Sequence, residues 1–357
     1  MRQFLLCFFF LVLVFFLALG CNRSYNAGPE GLPEISHAQP ENLQVTADTA
    51  ANAATDAVNI NTNPVADFPL SFDPISVDPG VILSWPQDSW RDSRFEVFSW
   101  DRFPEILIFD IASFEIQARL FKRLAFFAEK AGFRGRLPYD NEIALLHGWN
   151  AHNYRAEDLA VFFQTARETA FPLLDEEWEL EYILFRHGIL RWDPQAGIMP
   201  GDGAVLSLAR ENSHLSLRPR FLAHELFHGL FFIDEDFRDF SYRRWAALPG
   251  YAKNFFIAWL DLQSYDAGFE YLVVNEFMGH ILQFSVSNIP WYFGEHLPNL
   301  VLASYPDPWA ALPATQSQTR EGRRYWPDLA QVFSAEAEAF SVYVGNRWGL
   351  APGRAWR

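Results

Sequence analysis

The spacing of apolar residues changes along the chain, and each change marks an element. Short apolar runs at Val81–Trp85, Phe95–Phe98 and Ile106–Phe109 stand between Pro, Asp and Ser turns and predict strands. From Ser113 to Gly132 apolar residues recur at Leu120, Phe121, Leu124, Ala125 and Ala128, which is one face of a helix with a glycine to end it. Further helices are expected over 156–169 and 176–185, and Gly203–Arg210 alternates as a strand. An apolar helix follows over 221–233, with Pro219 in its first turn and Ser216 as its N-cap. A second apolar helix covers Tyr271–Leu282; the chain is then Pro-rich to about Pro313 and closes with a helix near Pro327–Trp348. Strands early and helices late predict an α+β fold, with an N-terminal lobe at about 67–235 and a helical lobe at 236–357.

The first 66 residues follow other rules. Residues 1–20 carry one charge, at Arg2, and an unbroken apolar stretch from Phe4 to Leu19. That stretch is shorter than the ~20 residues of a spanning helix and reads as a signal peptide. Ala18-Leu-Gly-Cys21 resembles the lipobox of bacterial lipoproteins, which implies cleavage before Cys21 and its acylation. Residues 22–66, rich in Asn, Ala, Thr, Pro and Gly, cannot bury enough apolar area to offset their ordering entropy and are expected to form a flexible tether. The chain is thus expected at a bacterial cell envelope, lipid-anchored on a periplasmic or extracellular face.

The apolar run at 221–233 holds the most informative residues. His224, Glu225 and His228 form an H-E-x-x-H arrangement, and on a helix the two histidines stand about 40° apart and one turn along the axis. Both imidazoles can therefore reach one ion, while Glu225 flanks it. A zinc ion held by three protein ligands keeps a position for water, lowers the pKa of that water toward ~7 and polarises a carbonyl. A carboxylate beside the water can act as general base, the role expected of Glu225. The bland alternative is three satisfied core side chains, but three ionisable groups on a buried helix need a reason.

The third ligand is sought on the next apolar helix, where Glu276 and His280 stand at i and i+4. Glu276 is the expected ligand. Here the chain resembles the zincin metallopeptidases, and among them the gluzincins, in which a second helix supplies a glutamate. The resemblance is carried by His224, Glu225, His228 and the Asn275-Glu276 pair and covers roughly residues 200–285. It implies a mixed sheet packed on the H-E-x-x-H helix, whose edge strand pairs with an extended peptide substrate. It also implies an oxyanion-stabilising Tyr, His or Arg further on, for which Tyr292, His296 and Tyr305 are candidates. Where thermolysin-like members place an orienting aspartate, this chain has His280, which would either orient a ligand or be an alternative ligand itself. Asp234, where metzincin-like sites place their third ligand, is the other alternative; Phe231 replaces the glycine of that turn.

Composition narrows the partners. Cys7 and Cys21 are the only cysteines, so after processing and acylation no thiol remains for a disulfide, a nucleophile or a metal ligand. A chain with 35 Phe and 13 Trp can instead rely on core size. The net charge of −16 with no Lys/Arg run excludes nucleic acid and disfavours adsorption to anionic lipid, which leaves the acyl group as the membrane link. The dense segment Gly148–Arg155 is expected to cap and pack the start of a helix. Taken together, these readings predict a tethered zinc metallopeptidase acting on peptide or protein substrates. The alternative is a non-catalytic envelope lipoprotein that binds a protein or glycan.

Overall fold

A computed structural model describes residues 73–146, 151–211, 217–313, 317–320 and 323–357. The signal peptide, Cys21, the tether and Ser216 lie outside the described residues. The fold is α+β. Five strands form a mixed sheet: β1 (Ile75–Val77), β2 (Phe95–Trp100), β3 (Phe103–Ile111), β4 (Ala151–Arg155) and β7 (Ala204–Ala209), in the order β1-β2-β3-β7-β4. β1 runs parallel to β2 and β3 parallel to β7, while β2–β3 and β4–β7 are antiparallel. Hairpins β5–β6 (Leu190–Asp193, Gly197–Pro200) and β8–β9 (Gln318–Arg320, Arg323–Tyr325) stand apart from it.

Because side chains alternate across a strand, each sheet face builds its own core. Leu107, Phe109 and Val205 point to a layer formed by the helical segment over 114–129, with α1 (Ala156–Glu168) and α2 (Asp175–Arg186). Ile106, Ile108, Leu206 and Leu208 point the other way, onto α3 (Arg218–Ile233). Beyond α3 the chain is mainly helical, with α4 (Glu235–Ala247), α5 (Gly250–Leu262), α6 (Glu270–Leu282), α7 (Leu297–Ser304) and α8 (Pro327–Trp348).

Two features fix α3 against the sheet. Asp110 of β3, fully buried, accepts from Arg218 at the start of α3 (3.1 Å) and from Arg210 after β7 (2.9 Å). Gly229 lets the helix settle, since a Cβ there would lie 3.0 Å from Ile106 Cδ1.

Several sequence expectations are met within a residue or two, among them β2, β7, α1, α2, α6 and α8, and β3 begins three residues earlier than expected. Val81–Trp85 is a correction. It falls in a 3-10 helix at Pro79–Ser84, where Asp78 accepts a hydrogen bond from Gly80 N at 2.9 Å and proline sets the first turn. Gly148–Arg155 is corrected in part: its described residues form strand β4, which packs in the core and runs straight into α1, with Arg155 at the N-cap position but no side-chain capping hydrogen bond. β7 lies inside the sheet, and β4 holds the edge beside α3.

Candidate metal centre

Helices α3 and α6 pack together and bring five titratable side chains to one point. His224 Nε2 and His228 Nε2 approach to 2.9 Å. Glu276 places its carboxylate oxygens 3.7 Å from His224 Nε2 and 3.9 Å from His228 Nε2. Donor atoms of these three residues all lie within 4.8 Å of one another. This close approach requires Gly279 on α6: a Cβ there would stand 2.7 Å from His228 Cε1 and Nε2 and 2.9 Å from His224 Cε1.

The residues fit a zinc ion. Two imidazole nitrogens and one carboxylate oxygen are a ligand set suited to it. Glu276 is almost fully buried, and its Oε2 has no hydrogen-bond partner, a costly state for a carboxylate that a cation would relieve. The supporting contacts also suit ligation. His228 Nδ1 donates to Asn275 Oδ1 at 2.8 Å, which leaves the Nε2 lone pair facing the cluster.

Glu225 lies beside the ligands, 4% exposed. Its carboxylate accepts from Asn153 Nδ2 at 2.9 Å, and Asn153 Oδ1 accepts from Asn275 Nδ2 at 3.5 Å. Two asparagines therefore join Glu225 to His228. Sequence reading missed Asn153; its only available signal was an Asn in an alternating Ala151–Arg155 run just before a helix.

Charge within this volume is strongly coupled. Burial pushes the Glu225 carboxyl up to about 7, with His224 and the Asn153 bond opposing. Burial works against charge on Glu276 too, but the surrounding imidazoles outweigh it and hold it well below the usual carboxylate range. His228 is brought down to about 4, by burial and then by His224, so its imidazole is neutral near pH 7, as a ligand requires. On His224 burial opposes protonation, and the Glu276 and Glu225 carboxylates prevail and raise its pKa.

The other sequence candidates separate. His280 stands next to the cluster, its Nε2 3.9 Å from Glu276 Oε2, and its Nδ1 is 2.8 Å from the Tyr292 hydroxyl. His296 stacks on Trp291 at 4.8 Å and 22°. Tyr305 is directed elsewhere, to Asp261. Asp234 is not in the cluster: it caps α4 by accepting from Phe237 N (2.8 Å) and pairs with Arg347 (2.6 Å). The helix runs through Phe231 to Ile233 without the turn that a ligand at Asp234 would need.

Comparison with protein-family models, curated proteins and solved structures finds no match to this chain.

Proposed function

We propose that the chain is a zinc-dependent metallopeptidase of the gluzincin kind, held at a bacterial membrane by a lipid on Cys21. The reading is supported above all by the convergence of His224, His228 and Glu276 from two helices, with the Glu225 carboxylate beside them. A zinc ion in that ligand set supplies a Lewis acid that acidifies water and polarises a carbonyl.

The chain's own groups do the rest. Glu225 takes the proton of the attacking water at its carboxylate and returns it to the leaving amine. Asn153 holds that carboxylate in place. Among the described residues strand β4 is bonded to one neighbouring strand, β7, so its outer edge can pair with an extended peptide. Main-chain pairing of this kind gives affinity with little sequence selectivity. No helix among the described residues is long and apolar enough to cross a membrane, and the attachment rests on the pattern of residues 1–21.

The test is hydrolysis of an unfolded protein by the wild type and by Glu225→Gln, with zinc measured in both. The variant is expected to keep its zinc and lose about 10²–10⁴-fold in rate. A wild type with stoichiometric zinc and no hydrolysis, or a variant as active as the wild type, would favour a non-catalytic lipoprotein that binds a protein or glycan.

A further inference from the structure

We infer that Arg220 and His296 form a subsite for a carboxylate of the substrate at the open end of the metal cluster. The inference rests on the metallopeptidase reading and deepens it by naming a substrate class, peptides with an acidic side chain or a free C-terminus close to the cleaved bond.

Exposure along α3 tells where the cluster opens. Arg220, His224 and His228 follow one another at one-turn intervals on one stripe of the helix. The side chain of His228 is 0% exposed and that of His224 13%, while Arg220, one turn further out, is partly exposed. Among the described residues the cluster therefore opens toward the N-terminal end of α3, where Arg220 stands.

The Arg220 guanidinium lies against apolar rings, 5.2 Å from the centre of Phe284 and 5.7 Å from that of Phe221. Beyond Phe284 comes the helical segment over 289–296, with Trp291 edge-on to Phe284 at 6.3 Å and His296 stacked on Trp291. There His296 Nε2 is buried and has no hydrogen-bond partner among the described residues. Burial, then the charges of Arg220 and Arg323, bring the His296 pKa down to about 4, so its ring is neutral near pH 7. Glu295 pairs with Arg323 at 3.6 Å. In a chain of net charge −16, two cations and a neutral imidazole thus gather at one end of the cluster.

A carboxylate suits these groups. A guanidinium has five N–H donors, so it can keep a contact within the chain and still meet both carboxylate oxygens with two of them. Aromatic walls lower the local dielectric and strengthen that pairing. The neutral His296 ring can add an N–H from Nε2. Reach agrees as well: one helix turn is ~5.4 Å and an extended residue spans ~3.3–3.6 Å, which places the carboxylate about one or two residues from a carbonyl at the metal.

Four Ala-rich pentapeptides test the inference, with Glu or Gln at the third position and a free or an amidated C-terminus. Calorimetry measures their binding to zinc-loaded Glu225→Gln, alone and combined with Arg220→Met, Arg220→Lys or His296→Phe; kcat/KM is then measured with Glu225 in place. A peptide with the recognised carboxylate is expected to bind about 10–100-fold more tightly than its amide twin and to be cleaved with a similar preference. The Glu/Gln pair and the acid/amide pair show which carboxylate it is. Arg220→Met is expected to abolish the ratio, and Arg220→Lys to restore part of it, since an ammonium keeps the charge without the planar fork. His296→Phe, which keeps the stacking on Trp291, is expected to lower the ratio a few-fold. No ratio with Arg220 in place, or the same ratio in Arg220→Met, would overturn the inference, and a ratio untouched by His296→Phe would remove His296 from the subsite. Carboxylate-dependent binding that needs Arg220, with no peptide or protein cleaved by the wild type, would uphold the subsite and sink the peptidase reading.

Discussion

The Asn153 side-chain amide on edge strand β4 donates to the Glu225 carboxylate on α3 at 2.9 Å, beside the candidate metal centre. A hydrogen bond to a charged group contributes about 1.5–3 kcal/mol, equivalent to roughly 10–100-fold in rate if it holds the base in its working position. Asn153→Ala is accordingly expected to lower kcat by that factor and leave zinc content unchanged. Asn153→Asp, which sets a second carboxylate against Glu225, is expected to be slower still. Equal kcat in all three proteins would remove Asn153 from the site.

Gly279 is where the two helices come closest. In Gly279→Ala the new methyl would meet both imidazoles at under 3.0 Å, so α3 and α6 must separate or the rings must turn. Zinc affinity is expected to fall at least about tenfold and the melting temperature of the zinc-loaded protein to drop with it. Titration against a competing chelator reads the first and calorimetry the second.

Asn275 sets the tautomer of His228 through a 2.8 Å bond. Replacing it with Leu keeps the bulk and removes the acceptor, and a loss of about 10–100-fold in zinc affinity is expected. Asn275→Asp retains an acceptor, with a charge, and is expected to bind zinc at least as well as the Leu variant and close to the wild type. Zinc affinity equal in Asn275→Leu and wild type would show that another contact orients the ring.

Glu225 also predicts a pH dependence of the metal-free protein. Burial raises its folded pKa to about 7 from an unfolded value of 4.5, so the native state binds the extra proton between these limits. Stability from this group is therefore full below about pH 4.5 and lost as pH rises through about 7. After chelation Glu225→Gln, which cannot ionise, is expected to be more stable than the wild type at pH 8, by up to about 3 kcal/mol, and no more stable at pH 4.5. Denaturant unfolding at the two pH values reads the difference. A Gln variant that gains nothing at pH 8 would mean that the Glu225 carboxylate is well solvated.

Much of this arrangement was legible in the sequence because it is local. A one-turn spacing puts His224 and His228 on one helix face, and the apolar periods around them and around Glu276 define both helices. The parts that were not legible depend on what comes together in space. Val81–Trp85 carries a strand-like apolar run, but Asp78 and Pro79 before it close a 3-10 turn. Nothing in the period of Ala151–Arg155 says that it takes the sheet edge and aims Asn153 at α3. Between Ile233 and Tyr271 the sequence reading gave no element, whereas the structure has α4 and α5, which supply the Phe256 and Trp259 rings around His280. Gly279 reads as an ordinary helix-weakening residue until its closeness to two imidazoles is seen.

The central claim is that two imidazoles and a carboxylate from separate helices hold one zinc ion. Its most direct test is zinc-edge X-ray absorption on the purified chain, with His228→Ala and Glu276→Ala alongside. The account predicts one zinc per wild-type chain with nitrogen and oxygen neighbours at about 2.0–2.2 Å, imidazole scattering from two rings, and loss of the ion in both variants. A wild type without zinc, or zinc retained with the same spectrum in Glu276→Ala, would contradict it.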